Sequence, residues 1–114
     1  MKKSDKKIEK QLREALTKVC EAALEQVTGF KWLTHLVNYR SFPNSLSVIC
    51  VFDTNSELDD ARAGREDVYL IDLIEKELIA AGLQIRDIKQ RVKFDTEENC
   101  QKESNGKWNH RFNH

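Results

Sequence analysis

The chain has 114 residues, of which 33% are charged and 39% are hydrophobic, and its 19 basic and 19 acidic residues give a net charge of zero. These values are typical of one globular domain and argue against wholesale disorder. No apolar run approaches the roughly 18 residues that a membrane-spanning helix needs. The positive N-terminus is not followed by the apolar core of a signal peptide, so we expect a cytoplasmic protein.

Charge is unevenly distributed along the chain. Residues 1–16 carry six basic and three acidic side chains, residues 53–77 carry three basic and nine acidic ones, and residues 84–93 carry four basic and one acidic. The sequence leaves open whether folding gathers these segments into one basic and one acidic face, or spreads them over an ordinary solvated surface.

The predicted elements begin with an amphipathic helix over residues 5–28. Its apolar side chains recur every three or four positions, as they do on one face of a helix. Two segments rich in aromatic and β-branched residues follow, and the turn signal around Pro43 between them predicts a β-hairpin. If Tyr39 pairs with Leu46, the register places His35 opposite Cys50.

Helical structure is predicted over residues 54–81, as one helix or two. Thr54 and Glu57 have the spacing of a capping box, and Gly82 followed by Leu83 is typical of a helix C-terminus. The predicted helices separate the second strand from the third, so these two strands should be parallel.

The third strand is predicted over residues 88–94, where apolar and basic side chains alternate. A short helix and a tail follow it. The predicted order is therefore α-β-β-α-α-β-α, an α+β fold with a three-stranded mixed sheet and helices packed mainly on one face. Residues 1–104 form the single predicted domain, and Trp108 and Phe112 are expected to hold the tail, residues 105–114, against it.

Both faces of the predicted hairpin are apolar, whereas the helices of a two-layer fold cover only one face. We use the term hairpin face for the second side, which carries Trp32, Leu36, Ile49 and Val51. This face predicts a protein contact, most simply a two-fold homodimer, unless the chain covers it internally.

Basic side chains on the third strand indicate a second possible surface. Lys89, Arg91 and Lys93 would lie on one side of that strand and could contact phosphates, together with Lys2, Lys3, Lys6 and Lys7. An edge strand protected from aggregation by its charges has the same pattern. The sequence supports both interpretations.

The cysteines do not indicate a disulfide framework or a zinc site. They are three, at positions 20, 50 and 100, and none forms a C-x-x-C pair. Cys50 beside His35 is a candidate nucleophile, but apolar neighbours favour an inert core thiol.

The acidic residues at positions 53–59 have a spacing that is superficially similar to that of a calcium loop. Leu58 stands where such a loop needs glycine, and Gly64 stands where it needs a bidentate glutamate. Helix capping explains the segment with fewer assumptions. We therefore predict no metal site, no cofactor, no small-molecule ligand and no catalytic residues.

The order of elements from residue 5 to 94 resembles that of a type II KH domain. That family binds nucleic acid with a G-x-x-G loop between its two core helices. Gly64 matches the first glycine, Arg65 could occupy a phosphate-facing position, and Asp67 stands in place of the second glycine. The resemblance implies a nucleic-acid-binding fold with a departure in its binding loop.

The chain also resembles a family of short gamma-proteobacterial proteins that are sometimes labelled Fis-type transcriptional regulators. The likeness lies in FKWLTH at 30–35, VFDT at 51–54, VKFDTEE at 92–98 and NGKWN at 105–109. The label implies a C-terminal helix-turn-helix with a basic recognition helix. The C-terminal region of this sequence is instead predicted to hold a strand, a short acidic helix and a tail.

The sequence thus favours a non-catalytic interaction module that self-associates through the hairpin face. The alternative is a nucleic-acid- or ribosome-associated protein that uses the basic third strand. A Cys50-based enzyme is a third and weaker hypothesis.

Overall fold

A computed structural model describes residues 2–113 and shows an α+β fold. The helices are α1 (Lys3–Gln26), α2 (Asn55–Ala63), α3 (Glu66–Ala80), α4 (Ile88–Arg91), α5 (Glu97–Ser104) and α6 (Trp108–Phe112). The strands are β1 (Phe30–Leu36), β2 (Ser47–Phe52) and β3 (Val92–Thr96), and a 3-10 turn spans Tyr39–Ser41. No helix within residues 2–113 is long and apolar enough to cross a membrane.

The three strands form one mixed sheet in the order β1-β2-β3. Strand β2 pairs antiparallel with β1 and parallel with β3, as the predicted crossover requires. The hairpin register differs from the predicted one by two residues, because Leu36 pairs with Ser47 and His35 pairs with Val48. A shift of two residues keeps every side chain on its predicted face.

Helix α1 forms because its apolar side chains make one continuous stripe. The stripe is buried against the sheet and comprises Leu12, Ala15, Leu16, Val19 and Ala23. The helix begins two residues earlier and ends two residues earlier than predicted, with Lys2 at its N-cap. Neither Ser4 nor Asp5 therefore caps it, since both lie within the first turn.

The predicted helical region 54–81 is two helices, α2 and α3. Arg65 separates them in the left-handed conformation, with φ of 61°. Helix α3 ends as predicted in a Schellman motif, in which the Leu83 N–H donates to the Leu78 carbonyl at 2.9 Å. Gly82, with φ of 89°, supplies the left-handed residue that this motif needs.

The main core lies between one face of the sheet and helices α1, α2 and α3. Val48, Cys50 and Phe52 of β2 are fully buried there. Each helix contributes its apolar stripe to the same cluster, for example Leu58 of α2 and Leu70 of α3. The other face of the sheet is left to the C-terminal helices α5 and α6.

Candidate functional site

The hairpin face is partly enclosed within a single chain. Its four residues lie on one side of the sheet, as predicted, because Trp32 pairs with Val51, Leu36 lies four residues from Trp32, and Ile49 lies two residues from Val51. However, Val51 is 0% and Ile49 is 6% exposed, whereas Leu36 is 38% exposed. The prediction that this face is open for docking is wrong for Val51 and Ile49, because the C-terminal helices cover them.

An aromatic cluster joins the tail to this face. The Trp108 ring packs edge-on against Trp32, with ring centroids 4.9 Å apart, and Phe112 packs 5.5 Å from Trp108. Glu97 accepts hydrogen bonds from both indoles, at 2.6 Å from Trp32 Nε1 and 3.4 Å from Trp108 Nε1. Trp108 and Phe112 thus lie against this face of the sheet, and residues 108–112 form helix α6.

A half-buried ion pair also holds the C-terminal helices against the hairpin face. The Arg111 guanidinium donates through Nη2 to Asp95 Oδ1 at 3.0 Å and through Nε to the other carboxylate oxygen. Its hydrogen bonds to Asp95 raise the pKa of Arg111 well above the usual value. Beside this pair, a small pocket of about 210 Å³ lies against Leu36 and Phe112. That opening is the part of the hairpin face that remains accessible.

Side chains at the ends of the parallel strands β2 and β3 cap the helices that follow these strands. Thr54 and Thr96 cap α2 and α5 by accepting from Glu57 N–H at 3.1 Å and Asn99 N–H at 2.9 Å. Asn55 links the two caps, because its Oδ1 accepts from Thr96 Oγ1 at 2.6 Å. The segment that is similar to a calcium loop therefore serves to cap and connect helices.

Glu98 of α5 also contacts the start of α2. Its carboxylate accepts from the Asn55 backbone N–H at 2.9 Å, and this hydrogen bond lowers the pKa of Glu98. An exposed Lys102 also donates to Glu98 at 2.9 Å. The N-termini of α2 and α5 thus already have acceptors and offer no free N–H cluster to an anion.

The arrangement around Cys50 does not favour a nucleophile. Cys50 is fully buried and pairs with Leu33, while His35 lies opposite Val48. Burial raises the pKa of the Cys50 thiol to about 12, so the thiolate is scarce near neutral pH. Burial also lowers the pKa of His35, and nearby Arg13 acts in the same direction against the opposing effect of Glu9.

The predicted basic strand is wrong in its first half. Residues 88–91 form the helical turn α4, and β3 begins only at Val92. Lys89 and Arg91 therefore do not share a strand face with Lys93. Ile88 and Val92, four residues apart, are the buried apolar residues here, so the segment follows helical rather than strand periodicity.

Arg65 lies in the loop between α2 and α3, whereas Lys89, Arg91 and Lys93 lie in α4 and β3. It begins α3, whose 15 residues run from the α2–α3 loop to Ala81 beside Gln11 of α1, where Gln11 Nε2 donates to the Ala81 carbonyl at 2.8 Å. A helix of that length spans about 22 Å. Arg65 therefore lies at the end of α3 opposite to the contact between Ala81 and Gln11.

Folding instead gathers basic residues at the end of the sheet where β2 and β3 begin. Segment 84–91 leads into β3 at that end, since Val92 pairs with Val48. The N-terminus of α1 and the 3-10 turn lie beside it, where Lys2, Asp5, Tyr39 and Arg40 line one surface depression. We refer to residues 2–10, 39–41 and 84–93 together as the basic end.

The basic end carries ten basic and three acidic side chains. Nine of the ten basic residues are exposed, and Arg91 is half-buried with an Nε that has no hydrogen-bond partner. Within residues 2–113 only Lys10 of this group has an ion-pair partner, the exposed Glu14 at 4.0 Å. The basic end is therefore a concentration of nearly uncompensated positive charge.

The opposite end of the sheet is acidic. Segment 53–60, which follows β2, has four acidic residues and no basic one, whereas Asp95 and Glu98 near the end of β3 are paired with Arg111 and Lys102. The acidic segment noted in the sequence thus begins at the end of the sheet opposite the basic end. Arg40 is not among the predicted contacts, since only the folded chain places it beside Lys2. Arg86 was counted in the basic segment 84–93 but was not among the predicted contacts either.

Comparison of the chain with protein-family models, with curated proteins and with solved structures gives no significant match.

Proposed function

We propose that this protein is a non-catalytic nucleic-acid-binding module whose basic end holds the phosphate backbone. The observation that carries the proposal is the set of ten basic side chains at the basic end, nine of them exposed. A neutral protein that places so much unpaired positive charge at one end has a strong local field there. Such a field attracts polyanions, of which nucleic acid is the most densely charged.

The composition of the basic end favours contact with the backbone over contact with bases. Most of its cations are lysines, which act as flexible point charges on phosphates. Tyr39 is its only aromatic residue, and it is half-buried. Base stacking, which reads or grips single strands, needs more exposed aromatic rings than this. We therefore expect binding that depends weakly on sequence and strongly on salt.

The proposed surface differs from the one that the likeness to type II KH domains implies. The corresponding loop contains Gly64 and Arg65, but Glu66 and Asp67 follow at once. These carboxylates oppose a phosphate at that loop, which lies at the other end of α3 from Ala81. The likeness in topology remains a hypothesis, and the proposal does not depend on it.

Binding to labelled nucleic acid at two salt concentrations tests the proposal. Fluorescence anisotropy would measure Kd for a single-stranded RNA and a duplex DNA of about 20 nucleotides per strand, between about 50 and 200 mM salt. The test variant is Lys89→Glu/Lys93→Glu, which changes two exposed residues of the basic end. Its matched control is Lys76→Glu/Lys107→Glu, with the same change in charge at exposed residues elsewhere.

The wild type should bind one or both nucleic acids, with affinity that falls steeply as salt rises. The test variant should bind at least tenfold more weakly, with a salt slope smaller by about 1 to 2, whereas the control should stay within about twofold of wild type. Equal losses in both variants would show a global charge effect and contradict a site at the basic end. Undetectable binding of the wild type at low salt would remove the proposal altogether.

Self-association and a cytoplasmic location also remain predictions. The hairpin face, however, is a poor candidate for the dimer contact, because Ile49 and Val51 are buried under the tail of the same chain. A second copy would need another open surface, and the outer edge of β1 is one.

A further inference from the structure

Strand β1 is an edge of the sheet, and its outer side has no strand beside it within residues 2–113. A groove of about 430 Å³ runs between this edge and helix α1. Its lining includes Arg13, Thr17 and Glu21 from the helix and Leu33, Thr34 and His35 from the strand. The groove thus combines free backbone groups of an edge strand with a mixed apolar and charged wall.

The two edges of the sheet differ in how they are protected. On β3, Lys93 and Asp95 are charged, and the Arg62 guanidinium lies over the Phe94 ring at 5.7 Å. On β1, Lys31 forms an irregularity at the start of the strand, but residues 32–36 pair regularly with β2 and include no charged carboxylate, lysine, arginine or proline. Charges, bulges and prolines are the usual means by which edges avoid pairing, so β1 is the unprotected edge.

We propose that a second copy of this chain occupies the groove, with the two β1 strands pairing antiparallel around a two-fold axis near Thr34. The two sheets would then join into one six-stranded sheet, with the two α1 helices side by side. A two-fold contact requires that the surface be complementary to itself. Strand β1 meets this requirement through its backbone, since antiparallel pairing needs no particular partner sequence.

The charges of α1 are also self-complementary in this arrangement. Residues 3–13 carry five basic and two acidic side chains, whereas residues 14–26 carry one basic and three acidic ones. Antiparallel α1 helices would therefore place the positive half of each against the negative half of the other.

Arg13 and Glu21 give the most specific form of this complementarity. Both line the groove, four residues to either side of Thr17, and neither has an ion-pair partner within residues 2–113. Thr17 and Thr34 line the groove together, so an axis near them would place Arg13 of each copy beside Glu21 of the other. The two-fold arrangement would form this ion pair twice.

Sedimentation of the full chain at several concentrations tests the dimer, and a charge swap tests its geometry. The single variants Arg13→Glu and Glu21→Arg each replace both attractions with repulsions, so the dimer should weaken by about tenfold or more. The double variant Arg13→Glu/Glu21→Arg restores opposite charges and should recover the affinity of the wild type. Arg13 and Glu21 are exposed on α1 and the control position Glu75 is exposed on α3, so the substitutions leave the core intact.

The control Glu75→Arg has the same change in charge as Glu21→Arg at an exposed position of α3, outside the groove, and should dimerise as the wild type does. Amide hydrogen exchange provides a second measurement, because backbone groups of residues 32–36 should become more protected as concentration rises. A wild type that stays monomeric at the highest soluble concentration would overturn the proposal. Dimerisation that is unchanged in Arg13→Glu, or that the double variant does not restore, would also overturn it, since the contact would then lie elsewhere.

Discussion

The two faces of the sheet are covered in different ways. On one face, α1, α2 and α3 bury an apolar cluster in which Val48, Cys50 and Phe52 are fully enclosed. On the other, Ile49 and Val51 are also buried, and the two short helices are held by discrete contacts that include the Trp32–Trp108 ring pair and the Arg111–Asp95 ion pair. The first face depends mainly on buried area, whereas the attachment of the helices on the second depends on particular side chains.

This difference determines how each face should respond to change. A continuous apolar core loses stability in proportion to the volume removed from it, wherever the removal occurs. A cover held by an aromatic pair and an ion pair can be released locally, while the rest of the domain stays folded. Substitutions on the two faces should therefore differ in how much unfolding free energy they remove and in which surface they expose.

The largest effect is expected at Phe52, which is fully buried and packs edge-on against Phe30 with centroids 6.0 Å apart. Phe52→Ala should lower the free energy of unfolding by about 3 to 5 kcal/mol, through lost burial and the cavity left behind. Chemical denaturation followed by circular dichroism measures this loss. Leu36→Ala on the exposed part of the hairpin face is the control and should cost less than about 1 kcal/mol. Equal losses of unfolding free energy in Phe52→Ala and Leu36→Ala would contradict the contrast between the two faces.

A smaller but more localised effect is expected at Trp108, which is half-buried. Trp108→Ala removes the ring that packs on Trp32 and should cost about 2 kcal/mol, below the value for a fully buried aromatic residue. It should also uncover Trp32 and Ile49, so Trp32 fluorescence should shift to longer wavelength and a hydrophobic dye should bind. Retained burial of Trp32 in this variant would show that α5 alone covers the hairpin face.

The ion pair of the second face should matter less. Arg111→Met keeps the apolar stem but leaves Asp95, whose side chain is 18% exposed, without its cation. We expect a loss of about 1 to 2 kcal/mol in the free energy of unfolding, since the pair is only partly buried. Lys102→Met breaks the exposed pair with Glu98 and should change stability by less than about 0.5 kcal/mol. A comparable loss in both variants would mean that burial adds nothing to the Arg111–Asp95 pair.

The sequence predicted most of the fold because its local signals agreed with one another. The apolar stripe of α1, the Thr54 cap and the Gly82 terminus each depend on residues a few positions apart. The parallel pairing of β2 and β3 followed from the helices between them. The boundary of β3 failed because residues 88–94 fit both a strand and a helical pattern, and burial of Ile88 with Val92 decided for the helix.

The candidate sites were harder to predict because they depend on residues far apart in the chain. The sequence shows that both faces of the hairpin are apolar. It does not show that Trp108 and Arg111 cover one of them, because these residues contact segments more than a dozen positions away. The basic end likewise combines three segments, which the charge counts identified only one by one. The edge groove between α1 and β1 could be inferred only after the strand order placed β1 at the outside of the sheet.

The smallest predicted effect concerns His35, which lies at the boundary between the core face and the β1 groove. Its pKa in the folded state lies below the ordinary 6.5 because of burial, which Glu9 opposes and Arg13 reinforces. The unfolded chain therefore binds the proton more tightly, so stability is full above pH 6.5 and declines as pH falls towards the lower folded pKa. We expect less than about 1 kcal/mol of pH-dependent loss between pH 7 and 5.5, and His35→Gln should remove it.

Denaturation at several pH values measures this dependence, with His110→Gln at an exposed position as the control. The window lies above the range in which Glu98 titrates, because the pKa of Glu98 is lowered from 4.5. A pH dependence that persists in His35→Gln would assign it to other groups. If the loss of stability at low pH instead grows as the protein is diluted, protonation of His35 acts on the association of two copies. That result would connect His35 to the β1 edge and not to the fold of one chain.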